Sequence, residues 1–344
     1  MGLLRSCEDK EESAVKNWLG SLILTGLLLA PVAYGQTSEP LKLVQSIPMP
    51  GVAGRIDHLS IDLEGHRLFV SALGNNTVEV IDLAAGKDID HIQGLLEPQG
   101  VLYVPESNKI FVANGGDGTC RIFDGSNYEL LSTVHFPSDA DDIRYEEAAG
   151  LVYVGYGDGG LGILSAMTGN ELGRIALPGH PEAFEVERQG ARIYVNVPTA
   201  QEIAVADWGR RSVIRRWPML RYRANFPMAY DQTHHRLFVV CRRPAELLAL
   251  DPDSGKILAH LRVAGDADDL FYDSAQKRIY ISGGEGVISV IGQVDADHYR
   301  LLAAIPTASG GRTSLFVPQL KRFYLAVPRR GDRHAEIRVY AVVP

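Results

Sequence analysis

The stretch Arg67-Leu68-Phe69-Val70 sets a pattern: a basic or apolar residue, an aliphatic one, an aromatic, then Val, Ile or Leu. It returns as Lys109-Ile110-Phe111-Val112, Leu151-Val152-Tyr153-Val154, Arg192-Ile193-Tyr194-Val195, Arg236-Leu237-Phe238-Val239 and Arg278-Ile279-Tyr280-Ile281. A seventh copy, Arg322-Phe323-Tyr324-Leu325, has Phe at the aliphatic place. Successive aromatics stand 42, 42, 41, 44, 42 and 44 residues apart. So even a spacing identifies a repeat protein.

Around the first copy, Leu59 and Ile61 alternate with polar neighbours, Leu68 to Ala72 is apolar, Thr77 to Leu83 alternates again, and Ile89 to Ile92 closes the unit. Glu64-Gly65-His66, Gly74-Asn75-Asn76 and Ala85-Gly86-Lys87 punctuate these runs with turn residues. Short strands joined in this way form a meander, and four strands in a repeat of roughly 40–45 residues make a propeller blade. A blade is apolar on both faces and buries them only against neighbours, so the units must stack into a ring.

The two ends match each other. Leu43 to Pro48, followed by Gly54-Arg55, parallels Leu301 to Pro306, followed by Gly311-Arg312, so it reads as a fourth strand without a blade of its own. Glu336 to Ala341 reads as a third strand, after which the sequence ends. The expected fold is all-β: a seven-bladed β-propeller of four-stranded blades, the last closed by the N-terminal strand (3+1 closure), which also removes free sheet edges. The blades fall at about 55–95, 97–138, 139–179, 180–220, 223–265, 266–310 and 311–344 with 41–48, in a single domain over 36–344.

Residues 1–35 read as a leader. Lys16-Asn17 precedes an apolar run from Trp18 to Ala30, and Ala33 and Gly35 form a small-x-small ending before Gln36. That is a secretory signal peptide, too short for a membrane anchor, which needs about 20 apolar residues. Glu8, Asp9, Glu11 and Glu12 are out of place in such a leader, and translation is expected to begin near Val15. The mature protein is expected to be periplasmic or secreted, without a membrane anchor, and monomeric.

Composition narrows the partners. With 42 acidic against 34 basic residues, a net charge of −8 disfavours nucleic acid, which selects basic faces. Arg242-Arg243 and Arg329-Arg330 read as solvated rim. Of three cysteines, Cys120 and Cys241 belong to different repeats and read as small buried hydrophobes, and there is no CxxC, haem or zinc spacing.

The aromatic cassette with its trailing residues, as in Tyr194-Val195-Asn196-Val197 and Phe111-Val112-Ala113-Asn114, resembles the core of the YVTN repeat. With companions such as Val80-Ile81-Asp82-Leu83 and Asp253-Ser254-Gly255-Lys256, residues 41–344 are similar to the YncE-like family of exported bacterial β-propellers. The resemblance implies the fold. For function it leaves several classes open, since similar propellers serve as binding scaffolds, as lyases and lactonases, and as cofactor-bearing redox domains.

A ligand is expected where the connection into the first strand of each blade meets the central channel. Twelve residues before each aromatic stand Asp57, Gln99, Asp141, Glu182, Phe226, Asp268 and Arg312, and eleven before it stand His58, Gly100, Asp142, Ala183, Pro227, Asp269 and Thr313. Just upstream are Arg55, Asp139, His180 and Asp266, with Arg223 and Asn225 in the fifth blade. Converging carboxylates repel one another, which raises their pKa values or recruits a cation. Asp57, Asp141 and Asp268 are then the metal candidates, with calcium or magnesium favoured by hard oxygen donors. Arg55, Arg223 and Arg312 are placed to clamp an anion, and equally to pair with acids of adjacent blades. The first functional reading is a noncatalytic scaffold binding a small molecule or protein at this mouth. The alternative is a metal-assisted lyase or lactonase with His58 or His180 as base. No hydrolase or phosphate-loop motif is present.

Overall fold

The structure, a computed structural model, describes residues 39–188 and 190–344. The leader expected over 1–35 lies outside the described residues. Seven four-stranded antiparallel sheets follow one another along the chain, the first spanning Leu59 to Ile92 and the sixth Ala267 to Pro306. The seventh is composite. Its inner strands are Ser314–Val317, Arg322–Val327 and Ala335–Val342, and its outermost is Leu41–Met49, paired with the last in the register Leu41↔Val342 and Ile47↔Ile337. The 3+1 closure is therefore present.

The repeated aromatics explain why the sheets close on each other. Phe69, Phe111, Tyr153, Tyr194, Phe238, Tyr280 and Tyr324 are all buried. The apolar residues fall into seven clusters, and each spans one junction between adjacent blades. One joins the seventh blade to the first through Ile47, Ile337 and Tyr324 against Leu59, Leu68 and Val70. The basic residue that leads the cassette also crosses a junction. Arg67 donates to Gly125 O and the Tyr128 hydroxyl of the next blade, Arg192 to Asp253, and Arg236 to Asp297. The first strands line a central channel, and no helix among the described residues is long and apolar enough to cross a membrane.

Candidate functional site

Local backbone geometry gathers the axial side chains at one level. Pairing between first and second strands breaks between Pro98 and Val101 in blade 2, Ala140 and Ile143 in blade 3, Asn225 and Met228 in blade 5, and Ala267 and Asp269 in blade 6. In blades 1, 4 and 7 the first strand begins only beyond this level, at Leu59, Phe184 and Ser314. The two residues twelve and eleven before the aromatic thus share one partner on the second strand, as where Asp57 N donates to Ser71 O and His58 O accepts from Ser71 N, and such a bulge re-aims the side chains on it. The turn into it recurs as well. Glu97, Asp139, Ala224, Asp266 and Gly310, each fourteen residues before its aromatic, have φ from 37° to 86°.

At the upper level Asp141, Glu182 and Asp268 come together with the Phe226 ring and leave a space of only about 10 Å³, roughly the room of one water. Asp57, wholly buried, lies beside them and receives Arg55 at 2.7 Å. Asp268 is held from both sides: Arg242 Nη2 donates to Oδ1 at 2.5 Å and Arg312 Nε reaches Oδ2 at 2.9 Å. Arg242 also donates to Ala267 O at 2.9 Å and lies over Phe226, 3.7 Å from the ring centroid. Arg312 Nη1 continues to Asp266 at 3.1 Å. On the other arc, Gln99 donates to Asp139 at 2.9 Å, and His180 donates to Gly157 O at 3.0 Å with Nε2 3.5 Å from Asp141. The network therefore joins blades 2 and 3, 3 and 4, 5 and 6, and 6 and 7. Arg55, Asp139 and Asp266 form its outer, half-exposed rim.

One step down the axis stand His58, Asp142 and Asp269. Asp269 accepts from Ser314 N at 2.6 Å, and His58 Nδ1 lies 3.5 Å from its other oxygen. Asp142 pairs with Arg144. Below them the channel widens into a chamber of 450 Å³.

Burial dominates the electrostatics of the acids. It pushes Asp57 up against the pull of His58 and Arg55, and Glu182 up with Asp141 adding repulsion. Asp268 is likewise raised by burial, against the attraction of Arg242 and Arg312. The histidines go the same way for a different reason. The hydrogen bond to Asp141 raises His180, and at His58 burial opposes the charge but Asp269 and Asp57 outweigh it. His180 is pushed up to about 9 and His58 well above an ordinary imidazole.

The sequence-derived residues separate into three groups. Arg55, Asp57, Gln99, Asp139, Asp141, His180, Glu182, Asp266, Asp268 and Arg312 meet at the mouth, with His58, Asp142 and Asp269 just beneath. Asn225 and Arg223 stand apart from this gathering. Asn225 is wholly buried, donating to Asn196 Oδ1 at 2.9 Å and Glu202 O at 3.1 Å, so it ties blade 4 to blade 5. Arg223 is exposed at the start of its strand and makes no ion pair among the described residues. Arg242, read from sequence as solvated rim, is instead the fifth blade's contribution to the mouth. Among the described residues no group of three or more His, Cys, Asp or Glu is arranged to hold an ion. Arg55 stands against Asp57, Arg242 and Arg312 against Asp268, and His180 Nε2 lies 3.5 Å from Asp141.

No protein-family model matches the chain, and no curated protein matches it. The fold recurs widely, with 1830 solved chains matching, so it selects no activity on its own. One is from Kuenenia stuttgartiensis hydrazine synthase, 15% identical with a TM-score of 0.69, covering 81% of this chain and 93% of that one. Another is from the crystal structure of the mitotic checkpoint complex, 12% identical with a TM-score of 0.74, covering 95% of this chain and 100% of that one. At these identities the chain shares the propeller architecture with them and nothing finer.

Proposed function

We propose that the protein is an exported, noncatalytic binding scaffold that receives a charged ligand or partner segment at the mouth of its channel. The half-exposed rim of Arg55, Asp139 and Asp266 above a sealed constriction carries this reading. Acids and cations there come from separate blades and hold one another in position before any partner arrives, which lowers the ordering cost of binding. The constriction is too narrow for an organic molecule, so a partner is met on top by groups that can exchange one charged neighbour for another. The neighbour from the mitotic checkpoint complex is in keeping with protein partners for such a platform. Likeness to the YVTN repeat and the apolar run Trp18 to Ala30 support a periplasmic or secreted location.

A thermal-shift screen of charged peptides and small metabolites tests the proposal. A ligand at a hundredfold its Kd stabilises by about 2.7 kcal/mol, enough to read as a shift in Tm. The shift is expected to vanish in the double variant Asp139→Asn, Asp266→Asn and to survive in Asp142→Asn. If no stabilising ligand loses its shift with the rim substitutions, the proposal is contradicted.

A further inference from the structure

We propose that the chamber beneath the constriction is a second binding site, opening on the face opposite the mouth, for a small organic cation: a protonated amine on an apolar body. The inference goes beyond the reading of the mouth and does not depend on it. At 450 Å³ the chamber has the size of a small-molecule pocket. Its wall includes half-buried apolar side chains, among them Leu102, Phe271, Leu315 and Phe316, which suit an apolar body.

The charge of the lining selects the head group. Asp268 at the ceiling is paired with Arg242 and Arg312. Asp142, Glu185 and Asp269 remain, opposed by Arg144 and by the imidazolium of His58. Three acids face two basic groups, which leaves one acid without a cation of its own. The exit does not reverse this balance, since Glu146 and Glu147 stand there with Arg188.

The unmatched charge has an address. Asp142 is 3% exposed, and its Oδ2 has no hydrogen-bond partner although it is buried against the chamber. Glu185 accepts no hydrogen bond among the described residues, and burial pushes it up to about 7 in spite of Arg144. An orphaned buried carboxylate oxygen is costly and needs an N–H donor. A protonated amine supplies both donor and charge. A quaternary ammonium supplies only charge, and a neutral alcohol only the donor.

Calorimetric titration of the full-length protein at neutral pH with phenylethylamine, its N-trimethylated analogue and phenylethanol tests this. Phenylethylamine is expected to bind saturably, and the other two at least about tenfold more weakly, as loss of one charge-assisted hydrogen bond implies. Asp142→Asn and, separately, Glu185→Gln are each expected to weaken it by about tenfold. Glu185→Gln removes no hydrogen bond and so keeps the test open if Asp142→Asn does not fold. Asp266→Asn at the mouth is expected to leave binding unchanged. Absence of saturable binding, equal binding of phenylethanol, or loss of binding in Asp266→Asn alone would overturn the proposal, the last by moving the guest to the mouth.

Discussion

Arg242 shows how a single side chain shapes the mouth. It pairs with Asp268, donates to a backbone carbonyl of the next blade and stacks on Phe226. Breaking such a buried pair leaves Asp268 partly uncompensated, so Arg242→Ala is expected to lose about 3 kcal/mol in urea unfolding. Arg242→Lys is expected to recover little, because an ammonium cannot make the forked, stacked contact. The sequence hid this residue for a physical reason. The mouth level lies a fixed number of residues before the aromatic along the first strand, whereas Arg242 arrives from the second strand. That strand runs from Arg236 to Arg243, two residues longer than the six-residue second strands of the other blades. Phe226, apolar at an otherwise polar level, was the available signal that another blade element supplies the charge. The cysteines were legible: both thiols are buried and pushed up to about 12. Neither is expected to react with a disulfide reagent until the protein is unfolded.

At the scale of elements, strand order and closure followed from hydrophobic alternation and turn residues, but the bulge did not. Asp141-Asp142 and Asp268-Asp269 read as polar positions before a strand, yet the break in pairing that aims them inward depends on a tertiary ladder. The left-handed residue preceding it is an element property too. Ala224 sits at φ 55°, where an L-residue costs about 1–2 kcal/mol. Ala224→Gly is therefore expected to stabilise by about 1 kcal/mol in chemical denaturation, after the entropy lost with glycine. The closing strand carries a larger load. Ile47 is fully buried between the seventh and first blades, and Ile47→Ala is expected to cost about 3 kcal/mol. An effect near zero would mean that the ring is held shut by something other than this strand.

Across the whole molecule, the ring brings residues remote in sequence to one axis, and the resulting charge governs pH response. Glu185 rises from 4.5 to about 7, and Asp57, Glu182, His58 and His180 are also raised. The native state then binds more protons than the unfolded chain, and stability falls as pH rises wherever this holds. The carboxyl contribution is present below about pH 4.5 and is lost through about pH 7, while the histidine contribution is lost above 6.5. Acids pulled down by partners, such as Asp231 and Asp253, set the opposite limit at low pH. Tm is expected to peak near about pH 5 and to decline steadily toward alkaline pH. Seven copies of one cassette made the ring legible from sequence, whereas the sign of its axial charge required knowing which acids meet an arginine. A carbon-detected NMR titration of the carboxyl groups of Asp57, Glu182 and Glu185 examines that gathering of charge. All three are expected to titrate well above ordinary carboxylates, Glu185 at about 7; titration of all three near about pH 4 would show that the acids of separate blades are not collected in a buried channel.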